Sequence, residues 1–206
     1  TEMRKMLSIE EIQSNSACLK DQLGTVVDFC SQPQHGKGKA IMLNNYSWLG
    51  SLNYIEFLRD IGRHFSVNRM LTFESYKQRL ERGLSFIEFN YQLLQSYDFL
   101  TLYREQGCRL QIGGDDQWGN IVAGIELIRK IEGAECYGLT FNLITRADGQ
   151  KMGKSEKGAV FLDPSLFSPY DFFQYWRNVN DADVLKFMKL FTFLPLEEIN
   201  SYDNPH

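Results

Sequence analysis

The chain has 206 residues, 43% hydrophobic and 14% aromatic, enough for a sizeable core, which excludes disordered, collagen-like and low-complexity classes. Lys and Arg number 22 against 26 Asp and Glu, and a formal net charge of −4 excludes a bulk nucleic-acid coater; any RNA contact must come from a local basic patch. No apolar run reaches the roughly 18 residues of a membrane-crossing helix, and no secretory signal opens the chain.

Ser8 and Glu11 form an S-x-x-E capping box, which predicts a helix from about residue 8 to 30. Ser31 to Lys39 is a polar loop. Ala40 to Leu43 reads as a short buried strand, and Asn44 and Asn45 turn the chain. Leu52, Ile55, Phe57, Leu58 and Ile61 make a helical stripe over Ser51 to Ile61. A further helix is expected at Phe73 to Glu81. Ser85 and Glu88 repeat the capping box and open a long aromatic helix, Phe86 to about Glu105, stopped by Gly107. Cys108 to Ile112 is a strand ended by Gly113 and Gly114, and Asp115 and Asp116 open a helix to about Glu132. Gly138 to Thr145 is a second strand, Ala147 to Gly149 a turn, and Gln150 to Gly158 a lysine-rich loop. Ser168-Pro169 starts another helix, Asp181 to Phe191 forms one more, and Leu196 to Ile199 reads as a helix start. This alternation predicts an α/β fold with a largely parallel sheet, whose ligands sit beyond the carboxyl ends of the strands.

Polar clusters fall at those ends. In Gly113 to Asn120 (GGDDQWGN), glycines let a ligand approach the backbone, Asp116 is placed to accept from ribose hydroxyls, and Gln117 to orient a polar group. Equally, the two acids can simply complement a helix N-terminus. Tyr91, Gln95 and Asp98 are spaced i, i+4, i+7 and share one face of an otherwise apolar helix, as a solvent face or as a small polar pocket. Lys151, Lys154 and Lys157 crowd a loop flanked by Gly153 and Gly158. It is either a solvated basic loop or a mobile cationic one closing over phosphates, and it lacks the Walker A frame. Cys18, Cys30, Cys108 and Cys136 form no C-x-x-C pair and histidines number three, which argues against a zinc site and for a reducing compartment.

Lys151 to Ser155 (KMGKS) resembles the KMSKS signature of class I aminoacyl-tRNA synthetases, with Gly153 in place of the usual Ser. GGDDQWGN resembles the corresponding element of tyrosyl-tRNA synthetases. Phe89 to Asp98 (FNYQLLQSYD) resembles their tyrosine-binding helix, and Leu43 to Gly50 (LNNYSWLG) the segment before it. Four motifs in order cover nearly the whole chain and resemble the bacterial type most.

The resemblance implies a Rossmann-like class I catalytic domain, its second part over residues 1–160, followed by the start of a helical domain over 161–206. It implies a cytoplasmic, homodimeric tyrosine–tRNA ligase that uses L-tyrosine, ATP with Mg2+, and tRNA(Tyr). Tyr91 and Gln95 match positions holding the α-amino group of tyrosine, Asp98 the acceptor of its phenolic hydroxyl, and Gln111 a residue of the same pocket. Gly114 and Asp116 match ribose-binding positions, and Gln117 a residue beside the reacting carboxyl and α-phosphate. Lys151 and Lys154 match the mobile lysines that stabilise pyrophosphate, Arg4 a flexible basic segment near ATP, and Phe86 a dimer-interface position. No H-[IVL]-G-H occurs, although class I enzymes need it. In the family that motif lies upstream of the position of Thr1, so the chain reads as a fragment, inactive alone, that also lacks the C-terminal tRNA-binding region. The alternative is a catalytically inactive, synthetase-like RNA-binding protein.

Overall fold

In the computed structural model, which describes residues 7–30, 39–81, 83–155 and 158–203, the residues around the polar clusters fall into two compact units. One unit is Asn44–Leu143; the other joins Thr1–Leu43 with Ile144–His206.

In the first unit, helices α2 (Tyr46–Leu49), α3 (Tyr54–Asp60), α4 (Val67–Met70) and α5 (Glu74–Leu80) precede the long helix α6 (Phe86–Gln106). Both ends of α6 follow from its sequence. Ser85 Oγ accepts from the Glu88 backbone N–H at 3.3 Å, and Glu88 Oε2 accepts from the Ser85 N–H at 3.0 Å. At the other end Gly107 takes φ 64°, a left-handed conformation that a side chain resists. Strand β1 (Leu110–Gly114), a single 3-10 turn (Asp115–Gln117), helix α7 (Trp118–Glu132) and strand β2 (Tyr137–Phe141) complete a βαβ unit. The strands pair in parallel, Leu110 opposite Tyr137 and Gly114 opposite Phe141, as the α/β reading expects.

The core of this unit sits where α6 meets α7. Phe99, Leu100, Leu127 and Ile128 are buried, with Phe57, Ile61, Met70 and Tyr76 beside them. The close approach needs small residues: a Cβ at Gly124 would lie 3.0 Å from the Phe99 ring, and one at Gly138 would lie 2.5 Å from Ile121. Gln92, fully buried on α6, donates its amide to the Gly119 carbonyl at 2.8 Å.

In the second unit, α1 (Ile9–Leu23) starts at the expected capping box, with Ser8 Oγ accepting from Glu11 at 3.1 Å. It stops well short of residue 30, at Gly24. The strand expected at Ala40 to Leu43 is reduced to one parallel bridge, Phe29 to Ala40, and the second strand of the other unit ends at Phe141 rather than Thr145. The lysine-rich segment holds a short antiparallel hairpin, β3 (Lys154–Ser155) with β4 (Gly158–Ala159). Helices α8 (Pro169–Arg177), α9 (Asp181–Phe191) and α10 (Leu196–Ser201) follow, capped by Ser168 and Asn180 at the first two. Helices α8 and α9 pack through edge-on rings, with Trp176 meeting Phe172, Tyr175, Phe187 and Phe191. Among the described residues no helix is long and apolar enough to cross a membrane.

Candidate active site

Helix α6 carries Tyr91, Gln95 and Asp98 on one face, and the carboxyl end of β1 carries Gly114, Asp116 and Gln117, all within one unit. Tyr91 is 56% exposed, whereas Gln95 and Asp98 are half-buried. Asp98 does not point into bulk water. Its Oδ1 accepts from the Trp48 indole N–H at 2.7 Å, and its Oδ2 accepts from the Asn45 amide at 3.0 Å. Both donors come from the Leu43 to Gly50 motif, at α2. A carboxylate offers about four acceptor positions, so two N–H donors leave room for a hydroxyl. The sequence reading missed Asn45 and Trp48 as site residues. The available signal was the indole, which has a donor and no acceptor and must find a partner when enclosed.

A second line of hydrogen bonds joins α6 to the end of β1. Gln117 Nε2 donates to Asp116 Oδ2 at 2.9 Å. Asn120 Nδ2 donates to Gln117 Oε1 at 3.2 Å and to Gln95 Oε1 at 3.1 Å. Gly114 makes space for this fold-back, because a Cβ there would sit 2.6 Å from Asp116 Oδ1. Gln111, half-buried on β1, has a buried Oε1 that meets no donor among the described residues. An acceptor left so calls for a donor from a ligand or from water. Asn120 is a further residue the sequence reading did not single out.

The lysine-rich loop lies in the other unit. Lys151 is exposed and bridges Thr145 through the backbone, and Lys154 lies in β3. Arg4 and the side chain of Lys154 lie outside the described residues. The base of the loop is tied to α8 and α9. Gly153, at φ 89°, donates its N–H to the Tyr175 hydroxyl at 3.2 Å, and the Ala147 N–H donates to Asp183 Oδ2 at 2.8 Å. The expected turn before the loop is present. Arg146 clasps Asp148 with two N–H donors, and the Gln150 N–H adds a third at 3.0 Å. The Arg146 guanidinium first, and then the Gln150 amide, hold the Asp148 carboxyl below the usual carboxylate range. This turn is therefore in place at neutral pH and loses that support only as pH falls through the lowered value. Among the described residues no group of acidic, His or Cys side chains forms a metal site.

Together the unit Asn44–Leu143 offers a half-buried carboxylate with acceptor capacity for a hydroxyl donor, an amide line ending on an exposed acid, and an acceptor unpaired among the described residues. The model of the family described as tRNA synthetases class I (W and Y) matches residues 1–206. A tyrosine–tRNA ligase of Acetivibrio thermocellus is 63% identical over 202 residues, covering 98% of this chain and 48% of its own length. A tyrosine–tRNA ligase of Borreliella afzelii is 62% identical over 204 residues, covering 99% and 48%. The chain thus spans about half the length of the curated relatives it matches. Among solved structures, a C-terminally truncated mitochondrial tyrosyl-tRNA synthetase of Aspergillus nidulans superposes with a TM-score of 0.76 at 26% identity, covering 96% of this chain and 59% of that one. On the match along its whole length, the chain belongs to the class I tRNA synthetases of the tryptophan and tyrosine group.

Proposed function

We propose that the chain is part of a tyrosine–tRNA ligase. Asp98 carries this reading: a carboxylate half-buried on an apolar helix, pinned by Trp48 and Asn45, is a receptor for a phenolic hydroxyl. The names of relatives 60–63% identical to the chain support it. In this reading Tyr91, Gln95 and Gln111 hold the rest of L-tyrosine. Gly114 and Asp116 hold the ribose of ATP, and Gln117 faces the carboxyl and α-phosphate. Lys151, Lys154 and Arg4 serve the phosphates of MgATP. A tyrosine carboxylate oxygen forms a bond to the α-phosphorus while the bond to the bridging oxygen breaks, and pyrophosphate leaves with that electron pair. The 3′-terminal ribose hydroxyl of tRNA(Tyr) then takes the tyrosyl group and AMP leaves. No side chain acts as a nucleophile; positioning and charge stabilisation supply the rate.

Residues 1–160 then form the second part of the nucleotide-binding catalytic domain and 161–206 the start of the helical one, in a cytoplasmic enzyme. Because the chain contains no HIGH motif, the 206 residues alone are expected to be inactive. The test is ATP–pyrophosphate exchange with each amino acid, using a protein of the relatives' full length that carries this chain. Exchange with tyrosine alone is expected. No exchange with any amino acid, together with retained tRNA binding, would favour the catalytically inactive RNA-binding reading.

The same reading includes a homodimer with Phe86 at its interface. Phe86 and Ile87, the first residues of α6, are 69% and 73% exposed, so the fold of this chain does not need them buried. Phe86→Asp is expected to weaken the dimer by a hundredfold or more, on the order of the cost of an uncompensated charge in an interface. Sedimentation at falling concentration checks it, and an unchanged dimer sinks the interface assignment. Circular dichroism should be unaltered.

A further inference from the structure

We infer that Asn120 is a positioning residue that orients Gln95 and Gln117 together and so ties the amino-acid subsite to the nucleotide subsite; this rests on the reading above.

Direction is set at one end of the line. Asp116 presents a carboxylate, which only accepts, so the Gln117 atom 2.9 Å away must be the amide nitrogen. The Gln117 oxygen is thereby turned to Asn120 at 3.2 Å, and the atom of Asn120 there must be a donor. The same Nδ2 carries a second hydrogen, directed to Gln95 Oε1 at 3.1 Å. Polarity therefore passes from Asp116 through Gln117 and Asn120 to Gln95, a residue of another helix. A carbonyl oxygen has two lone pairs, and Asn120 uses one. The other remains for an ammonium group, which could never be held by the nitrogen end of the same amide. Without Asn120, nothing on this line distinguishes the two orientations of Gln95.

The surroundings make the choice of residue specific. Asn120 lies in the first turn of α7, next to the buried Gly119, and is itself half-buried. A side chain there must reach α6 and the Asp115–Gln117 turn with two donors from one atom. Asp has no donor, and Ser is too short to reach both.

Asn120→Leu keeps the branched skeleton, with methyl groups bulkier than the amide atoms, and removes both donors. In a ligase of the relatives' length, tyrosine-dependent pyrophosphate exchange is measured for the wild type, Asn120→Leu, Gln95→Ala and the double variant. Asn120→Leu is expected to raise the KM for tyrosine about tenfold, the usual effect of losing an orienting hydrogen bond to a group that binds charge. In the Gln95→Ala background the same change should shift that KM by less than about twofold, because its route is already gone. A wild-type KM in Asn120→Leu overturns the inference. So does a full tenfold rise in the Gln95→Ala background, which would mark general damage. If circular dichroism shows Asn120→Leu unfolded, Asn120→Ala enters the same cycle with the same expectations. Wild-type protein without tyrosine exchange overturns the ligase reading and this inference together, whereas exchange with an unchanged variant KM overturns the inference alone.

Discussion

Replacing Lys154 by alanine in a ligase of the relatives' length slows tyrosyl-adenylate formation by about a hundredfold or more, while tyrosine affinity moves by less than about twofold. The asymmetry follows from where charge develops. As the bond to the α-phosphorus breaks, negative charge collects on the departing pyrophosphate, and a cation that meets it only then lowers the barrier without tightening the ground state. The proposed function gives Lys154 such a late contact. It follows Gly153, whose φ of 89° suits a sharp turn, and its backbone pairs with Ala159 in a two-residue hairpin. So short a hairpin is marginal on its own. The base of the loop is better held, by Tyr175 on α8 and Asp183 on α9. A short hairpin above a base held by α8 and α9 suits the role proposed for Lys154 at the phosphates. Rapid-quench measurement of adenylate formation, alongside equilibrium tyrosine binding, reads the two quantities separately. Normal adenylation by Lys154→Ala sinks the assignment, and so does a matching loss of tyrosine affinity.

Elements with local causes were legible in the sequence. Helix α6 was readable at both ends because its capping box and Gly107 act within a few residues of the positions they terminate. Helix α8 was readable for the same reason, through Ser168-Pro169, and α9 was read at Asp181 to Phe191, where Asn180 caps it. Helix α1 was overextended because Gly24 was passed over as a stop. The strand read at Ala40 to Leu43 failed differently. An apolar run becomes a strand only against a partner, and here Phe29 supplies a single bridge. The extra reach of β1 into Gly113 and Gly114 is a tertiary effect: with β2 alongside, their backbone groups find ladder partners despite glycine's low strand propensity.

The candidate site divides along the same line. Tyr91, Gln95 and Asp98 were visible together because helical spacing is a local rule. Their partners were not. Asn45 and Trp48 meet Asp98 across 53 and 50 residues of chain, and Asn120 meets Gln95 across 25. The first two depend on how α2 meets α6, and the third on how α6 and α7 pack, which in turn depends on Gly124 and Phe99, residues that carry no chemistry of their own. A sequence shows which side chains can donate or accept; the packing decides which of them meet.

Asp98→Ala is expected to narrow the preference for tyrosine over phenylalanine, as a ratio of kcat/KM, by about ten- to hundredfold, the worth of a hydrogen bond to a charged acceptor. Tyrosine and phenylalanine differ by one hydroxyl, so a pocket of the right shape separates them poorly. Strong rejection needs polar groups that are satisfied only when the hydroxyl is present, a rule for which tyrosyl-tRNA synthetases are the usual illustration. In the proposed function Asp98 is such a group, though not a stranded one. Trp48 and Asn45 already donate to its two oxygens, which keeps the carboxylate half-buried and fixes its plane before any ligand arrives. The acceptor positions that remain are thereby fixed in direction, and in the proposed function a ring without a hydroxyl leaves them facing carbon. Trp48→Phe, which deletes the indole N–H and keeps an aromatic ring, should produce a smaller change in the same direction, because Asn45 still holds the other oxygen. Removing the carboxylate strands the donors of Trp48 and Asn45 as well, so unfolding is the competing outcome of Asp98→Ala. Asp98→Asn keeps one acceptor for those donors and serves as the second variant, with circular dichroism on both. If the folded variants keep the wild-type ratio, Asp98 does not read the hydroxyl, and its carboxylate serves only to anchor α2 to α6.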